Sequence, residues 1–297
     1  MILQVKTHTI KILLEQIGIR SPHLGIHVVS VDVKEVKLPI LYPFRSDQFS
    51  FLLVTEGELQ VNVNLLEYRL KKCNVLLLSP QVVRQFVKFS SDCKTTTIFF
   101  TSEYLLSAGI QNKNINALEF LSSHVNPLLN TQVKEREVLM QILDLLKTKM
   151  DPGNGQAFQE EVLLHLFAGF IYEIGSLYKK QESLEEVRGT RKEELTFRFL
   201  KLLPLHYKEE RSVLAYASIM NITAQYLSQT IKEVTGKTAS DFIGKMVLME
   251  AKILLTNHDL TIAQVAAYLN FSDQFFFSKY FKKQSGISPS NYRKTAL

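Results

Sequence analysis

Cysteine is scarce in this chain: Cys73 and Cys93 are the only two in 297 residues. Two thiols build neither a disulfide framework nor a four-cysteine zinc site, and they read as reduced thiols in a cytoplasmic protein. Long apolar runs are missing as well. The most apolar stretch, VLLHLFAGFIYEIG at 162–175, is shorter than a bilayer requires and carries His165 and Glu173. No membrane partner is expected. The first residues, MILQVKTHTIKILLEQ, interleave Lys6, His8, Lys11 and Glu15 with apolar positions, which predicts an amphipathic helix and no signal peptide. With 22% charged and 46% apolar residues, the composition is that of a folded chain long enough for two or three domains.

What charge there is lies unevenly. Residues 192–297 hold 14 Lys and Arg against 9 Asp and Glu, whereas residues 1–191 hold 21 against 20. Nearly all of the net +6 therefore falls in the last third. A basic surplus there points to a polyanionic partner, since neutralising phosphates releases counterions.

Residues 48–101 read as strands. QFSFLLV runs into the turn TEGE at Gly57, then ELQVNVNLL alternates Val61, Val63 and Leu65 with Asn62 and Asn64. EYRL, NVLLLSP, RQFVKF and TTTIFF follow at short spacing, which predicts an antiparallel sandwich or barrel over residues 1–112. From about 113 the period becomes helical. EREVLMQILDLLKTK (135–149) and FQEEVLLHLFAGFIYEIGSLY (158–178), separated by DPGNG (151–155), predict a helical segment over 113–182 that is buried between neighbours or across a dimer. Residues 183–194 are polar and charged and read as a linker. The expected fold class is thus α+β: an antiparallel barrel with helices, then an all-α domain over 195–297.

That last domain contains a repeat. A shift of 49 residues lays Ser212-Val213 on Thr261-Ile262, Ala217 on Ala266 and Met220-Asn221-Ile222 on Leu269-Asn270-Phe271. After one inserted residue, Leu227-Ser228 matches Phe277-Ser278, Ile231-Lys232 matches Phe281-Lys282, and Thr235-Gly236 matches Ser285-Gly286. Each copy predicts a helix capped by Ser212 or Thr261, a turn with a left-handed Asn, and a second helix closed by glycine. Small Ala217 or Ala266 stands at the close crossing of the two helices. This is the helix-turn-helix arrangement, whose second helix enters a major groove. SDFIGKMVLMEAKILL (240–255) predicts a rigid helix of about 24 Å between the copies.

At 100° per residue, the run Phe275-Phe276-Phe277 points three ways. Phe277 shares a core face with Phe281, as Leu227 does with Ile231; Phe276 and Tyr280 lie on a flank. The opposite face selects Ala224, Gln225, Ser228 and Gln229 in the first copy, and Gln274, Phe275, Ser278 and Lys279 in the second, as base-contact candidates. Gln pairs with adenine and Lys reaches guanine, while Phe275 is either a surface ring or a contact for a thymine methyl. Lys232, Lys282, Arg293 and Lys294 are phosphate candidates, the last two alternatively a solvated terminus.

Residues 212–293 resemble the DNA-binding domain of the AraC/XylS family, through ASIMNITAQYLSQTIKEVTGKTASDFI and EAKILLTNHDLTIAQVAAYLNFSDQFFFSKYFKKQSGISPSNYR. Asn270 replaces the usual turn glycine, Phe275 a small polar residue, and Ala239 a proline that Pro289 keeps in the second copy. The N-terminal half is similar to the cupin-like sensor barrels of that family, through Gly57 in VTEGEL and EYRLKKCNVLLLSP. The resemblance implies double-stranded DNA as partner, a homodimer, a small-molecule effector and, for an activator, RNA polymerase. The HxH set of metal cupins is missing and Arg84 stands near its histidine, so neither a metal nor another cofactor is expected. His23 and His27 lie four apart, but Pro22 and Gly25 oppose a helix there.

Two rivals compete with the DNA-binding regulator. One is a barrel enzyme, for which Glu56, Glu58 and Glu67 form no convergent set. The other is a ligand-independent regulator whose barrel only dimerises or docks a partner.

Overall fold

In a computed structural model the chain divides into two units, Thr7–Val187 and Arg188–Leu297. The residues described are 25–33, 42–80, 82–110, 121, 126–151, 157–185 and 190–295. The expected N-terminal helix, His23 and most of the DPGNG break lie outside them.

Among the described residues the first unit holds eight strands: β1 (Ile26–Asp32), β2 (Phe49–Glu56), β3 (Glu58–Val63), β4 (Leu66–Lys71), β5 (Asn74–Leu78), β6 (Arg84–Phe89), β7 (Lys94–Phe100) and β8 (Leu128–Asn130). They form two antiparallel sheets, ordered β1-β7-β2-β5-β8 and β4-β3-β6. Period two decides which residues meet. Leu52, Val54, Leu76 and Leu78 face inward against Leu59, Val61, Val63 and Leu70 of the smaller sheet. Their neighbours of opposite parity, Phe51, Leu53, Val75 and Leu77, face outward into a second core. A strand buried on both faces explains why FLLV is a continuous apolar run. The chain passes from one sheet to the other at Gly57, whose φ is 68°. A Cβ there would come within 2.8 Å of the Cys93 backbone and 2.4 Å of Ser90 Oγ, so the corner requires glycine.

The outer face of the larger sheet is covered by helices. Short α1 (Ser102–Ser107) precedes α2 (Val133–Lys149) and α3 (Gln159–Glu185). Phe167 packs edge-on against Phe100 at 4.9 Å and Phe170 against Phe51 at 5.5 Å. Leu139, Leu143 and Leu146 of α2 join the same core. The helices share a core with the sheet, within the one compact unit Thr7–Val187. Two strands escape the sequence reading. β1 is an edge strand along β7, in register from Ile26 opposite Phe100 to Asp32 opposite Lys94. β8 interrupts the stretch expected to be helical and pairs with β5. Its free edge is satisfied by Gln181 of α3, which accepts from Asn130 N–H at 2.9 Å and donates to the Leu128 carbonyl at 3.0 Å. A side-chain amide thus does what another strand would do.

The second unit is helical: α4 (Arg191–His206), α5 (Val213–Ile219), α6 (Ala224–Thr235), α7 (Ala239–Leu255), α8 (Ile262–Tyr268), α9 (Gln274–Ser285) and α10 (Pro289–Thr295). α4 begins inside the stretch expected to be linker, after a Thr190–Glu193 capping box. Its Phe199 lies edge-on to Tyr216 of α5 at 5.4 Å and to Phe242 of α7 at 6.5 Å, forming the core of the first copy. Among the described residues, no helix is long and apolar enough to cross a membrane.

Candidate nucleic-acid interface

The two copies of the repeat are built by the same hydrogen bonds. Ser212 and Thr261 accept from the N–H three residues on, at 3.2 Å and 3.1 Å, and Gln264 completes a capping box by accepting from Thr261 N–H at 2.8 Å. Ala217 and Ala266 are buried at the helix crossing. The turns are near-identical. Asn221 has φ 56° and Asn270 φ 53°, and the residue after each returns its N–H to the alanine carbonyl, Ile222 to Ala217 and Phe271 to Ala266, both at 3.0 Å. That six-to-one bond closes α5 and α8 and requires the left-handed residue between.

A second cap starts each following helix. Thr223 accepts from Tyr226 N–H at 3.1 Å and Asp273 from Phe276 N–H at 2.9 Å. Gly236 (φ 71°) and Gly286 (φ 82°) end α6 and α9 in the left-handed conformation. Between these stops, Leu227, Ile231, Phe277 and Phe281 are fully buried. Burial of those rungs fixes which face looks outward.

On the outward face of α6, Gln225 and Gln229 are exposed and Ala224 and Ser228 half-buried; on α9, Gln274, Phe275 and Lys279 are exposed and Ser278 half-buried. Lys232, Lys282 and Lys294 are exposed. Phe275 is 72% exposed and Phe276 56%, their rings 6.1 Å apart at 81°. Gln229 is not unengaged: its Nε2 donates to Glu233 at 2.9 Å, and Glu233 pairs with Lys192 of α4 at 2.7 Å. The Lys192 hydrogen bond, with a smaller one from Gln229, holds the Glu233 carboxyl below the usual carboxylate range. This chain of contacts orients one base-contact candidate from outside the repeat.

Arg293, half-buried, is engaged within the domain. Its Nε donates to the Leu255 carbonyl at 3.1 Å and its Nη2 to the Leu260 carbonyl at 2.7 Å, so the guanidinium ties down the end of α7 and the loop before α8. Carbonyls at a helix end lack intrahelical donors, and a nearby cation satisfies them.

Sequence reasoning also missed a brace between the copies. The segment joining α4 to α5 reaches the second turn: Lys208 Nζ donates to Tyr268 Oη at 2.6 Å, and the Asn270 amide donates to the Lys208 carbonyl at 3.2 Å. Arg211 lies 4.3 Å over the Phe271 ring and donates through Nη2 to the Leu269 carbonyl. Tyr280 adds a further tie, donating to the Gly244 carbonyl of α7 at 2.8 Å. The departure of Lys208 and Arg211 from any periodic pattern left no signal for these contacts.

In the first unit, His27 sits buried on β1 opposite Phe99. Among the described residues no group of three or more His, Cys, Asp or Glu could hold a metal ion. Cys73 and Cys93 are free thiols.

Residues 216–295 match the family model described as a helix-turn-helix domain. The chain is 27% identical over 143 residues to YisR of Bacillus subtilis, an uncharacterized HTH-type transcriptional regulator, covering 48% of this chain and 45% of that protein. It is 31% identical over 94 residues to the Msm operon regulatory protein of Streptococcus mutans, covering 32% and 34%. With the transcriptional activator RhaR of Cronobacter sakazakii it shares 29% over 79 residues, covering 27% and 28%. The chain thus spans less than half the length of each of these relatives. Residues 216–295 hold both turns and both outward helix faces. Over residues 216–295 the chain therefore carries a helix-turn-helix domain of the AraC type.

Proposed function

We propose that the protein is a cytoplasmic, sequence-specific, double-stranded-DNA-binding transcription regulator, acting as a homodimer that recruits RNA polymerase as an activator. The observation that carries this reading is the pair of outward helix faces, on α6 and α9, held by identical turns in one braced domain. Two faces of Gln, Ser and Lys, flanked by lysines, supply both base edges and phosphates with partners. Activation is supported by the name of RhaR, a transcriptional activator.

The first unit is the regulatory part, binding a small effector or serving as the dimer contact. Its sandwich and its two long helices support that division of labour. The enzyme alternative draws no support from the acidic residues it needs. Glu56 pairs with Lys94 at 2.8 Å, Glu58 with Lys71 at 2.8 Å and Glu67 with Arg69 at 3.2 Å, all at the surface. Footprinting on the promoter beside the protein's own gene tests the proposal, and an absence of any protected site would sink it.

A further inference from the structure

One exposed ring on a protein surface is ordinary, but two side by side form an apolar patch that marks a contact. Phe275 and Phe276, in the first turn of α9, are 72% and 56% exposed, and their rings meet edge to face, 6.1 Å apart at 81°. The helix beneath them leaves no freedom to turn them inward. Phe277 packs between Phe271 at 5.3 Å and Phe281 at 5.9 Å, and Asp273 caps the turn by accepting from Phe276 N–H at 2.9 Å. Tyr280, one turn further along the flank of Phe276, shows the contrast. Its ring packs on Phe271 at 5.2 Å and its hydroxyl donates to the Gly244 carbonyl at 2.8 Å.

The chemistry of this turn suits a base edge and not a phosphate. Asp273 is the one charged residue from 271 to 278, and its carboxylate repels phosphates. The exposed cations of α9, Lys279 and Lys282, lie a turn or more further along. The first copy is built otherwise. By the 50-residue shift, Gln225 and Tyr226 stand where Phe275 and Phe276 do, and neutral Thr223 caps in place of Asp273. An amide and a phenol thus open α6, where two bare rings open α9. In the major groove the apolar feature of a base edge is the C5-methyl of thymine. Rings 6.1 Å apart span one to two base-pair steps of about 3.4 Å each.

We propose that Phe275 and Phe276 act as a pair that reads two thymine methyls, on base pairs one or two steps apart. The half-site of α9 is then specified by methyl groups, and that of α6 by hydrogen bonds. Phe276, placed on a flank by its helical angle, becomes a second specificity-determining ring beside Phe275. The inference rests on the reading of α9 as a helix that enters a DNA groove, and it names the bases taken there.

Binding of the full-length protein to its footprinted site, with each thymine replaced in turn by uracil, tests it, because uracil lacks only the methyl. Two thymines in one half of the site, one or two steps apart, are each expected to weaken wild-type binding about fourfold when the methyl is removed, as burial of a single methyl implies. Phe275→Ser is expected to abolish the response at one of the two and Phe276→Ser at the other, while the double variant ignores both. Both rings are exposed, so the variants are expected to keep the wild-type Tm. No methyl-sensitive thymine, a single one, or a pair whose responses both survive in Phe276→Ser would overturn the proposal. Footprinting separates the two readings. A protein that protects DNA but ignores the methyls loses only this inference, and one that protects no site loses the regulator as well.

Discussion

Asn221 and Asn270 lie 49 residues apart and adopt the same left-handed backbone, with φ of 56° and 53°. Each stands between a helix that must end and a helix that must start at a fixed angle. The equivalence holds at the level of individual bonds, since the residue after each returns its N–H to an alanine carbonyl at 3.0 Å. The first prediction follows. Asn221→Ala forces a Cβ-bearing residue without a polar side chain into this region and is expected to cost about 1 kcal/mol, whereas Asn221→Gly is close to neutral. At Asn270 the glycine variant also loses the bond to the Lys208 carbonyl, so it should be the less stable of the two glycine variants. Denaturant unfolding read on the helical unit checks both, and a neutral Asn221→Ala would contradict the turn argument.

Phe275 and Phe277 are predicted to behave as opposites. Phe277 is fully buried against Phe281 at 5.9 Å, so Phe277→Ala should cost about 3–5 kcal/mol and unfold the second copy. Phe275 is exposed, and Phe275→Ser should leave stability within about 0.5 kcal/mol. If its ring meets a thymine methyl, replacing that thymine by uracil weakens wild-type binding and leaves Phe275→Ser unaffected. Equal sensitivity of both proteins to the methyl would assign the ring to the surface.

Base readers and phosphate contacts should separate by their salt dependence. Gln274→Ala is expected to cost about 1–3 kcal/mol and relax preference at one base pair. Lys232→Ala and Lys282→Ala are expected to weaken binding to all sequences and each to lower the salt slope by about 1. A uniform loss for Gln274→Ala would show that it reads no base.

The Arg211 brace is expected to stabilise the second turn. Arg211→Ala removes both the stacking on Phe271 and the bond to the Leu269 carbonyl, for an expected loss of about 1–2 kcal/mol. Arg211→Lys keeps the charge but not the planar stack, and should recover only part of it. Full recovery by lysine would reduce the interaction to charge alone.

These residues also show what the sequence carried and what it did not. The repeat was legible because caps, turn asparagines and terminal glycines are local signals, each imposed by the backbone within a few residues. The face of each outward helix followed from the period of Leu227, Ile231, Phe277 and Phe281. β1 and β8 were not legible: one is an edge strand without clean alternation, the other three residues long, and both owe their existence to partners far away in sequence. Arg293 read as a phosphate contact or a solvated terminus, and Arg211 carried no reading at all, because nothing local indicates that a carbonyl waits 38 or 58 residues away. Arg84 stood out only as a histidine replaced, and its burial depends on a sheet that the sequence does not display.

The central claim is that α6 and α9 read DNA together as one braced pair. Footprinting of the full-length protein on the promoter beside its own gene, repeated across a salt series, tests it most directly. The expected result is an A/T-containing protected site in which two segments lie about one helical turn, roughly 34 Å, apart on one face, with affinity falling steeply as salt rises. No protected site, or an affinity indifferent to salt, would contradict the account.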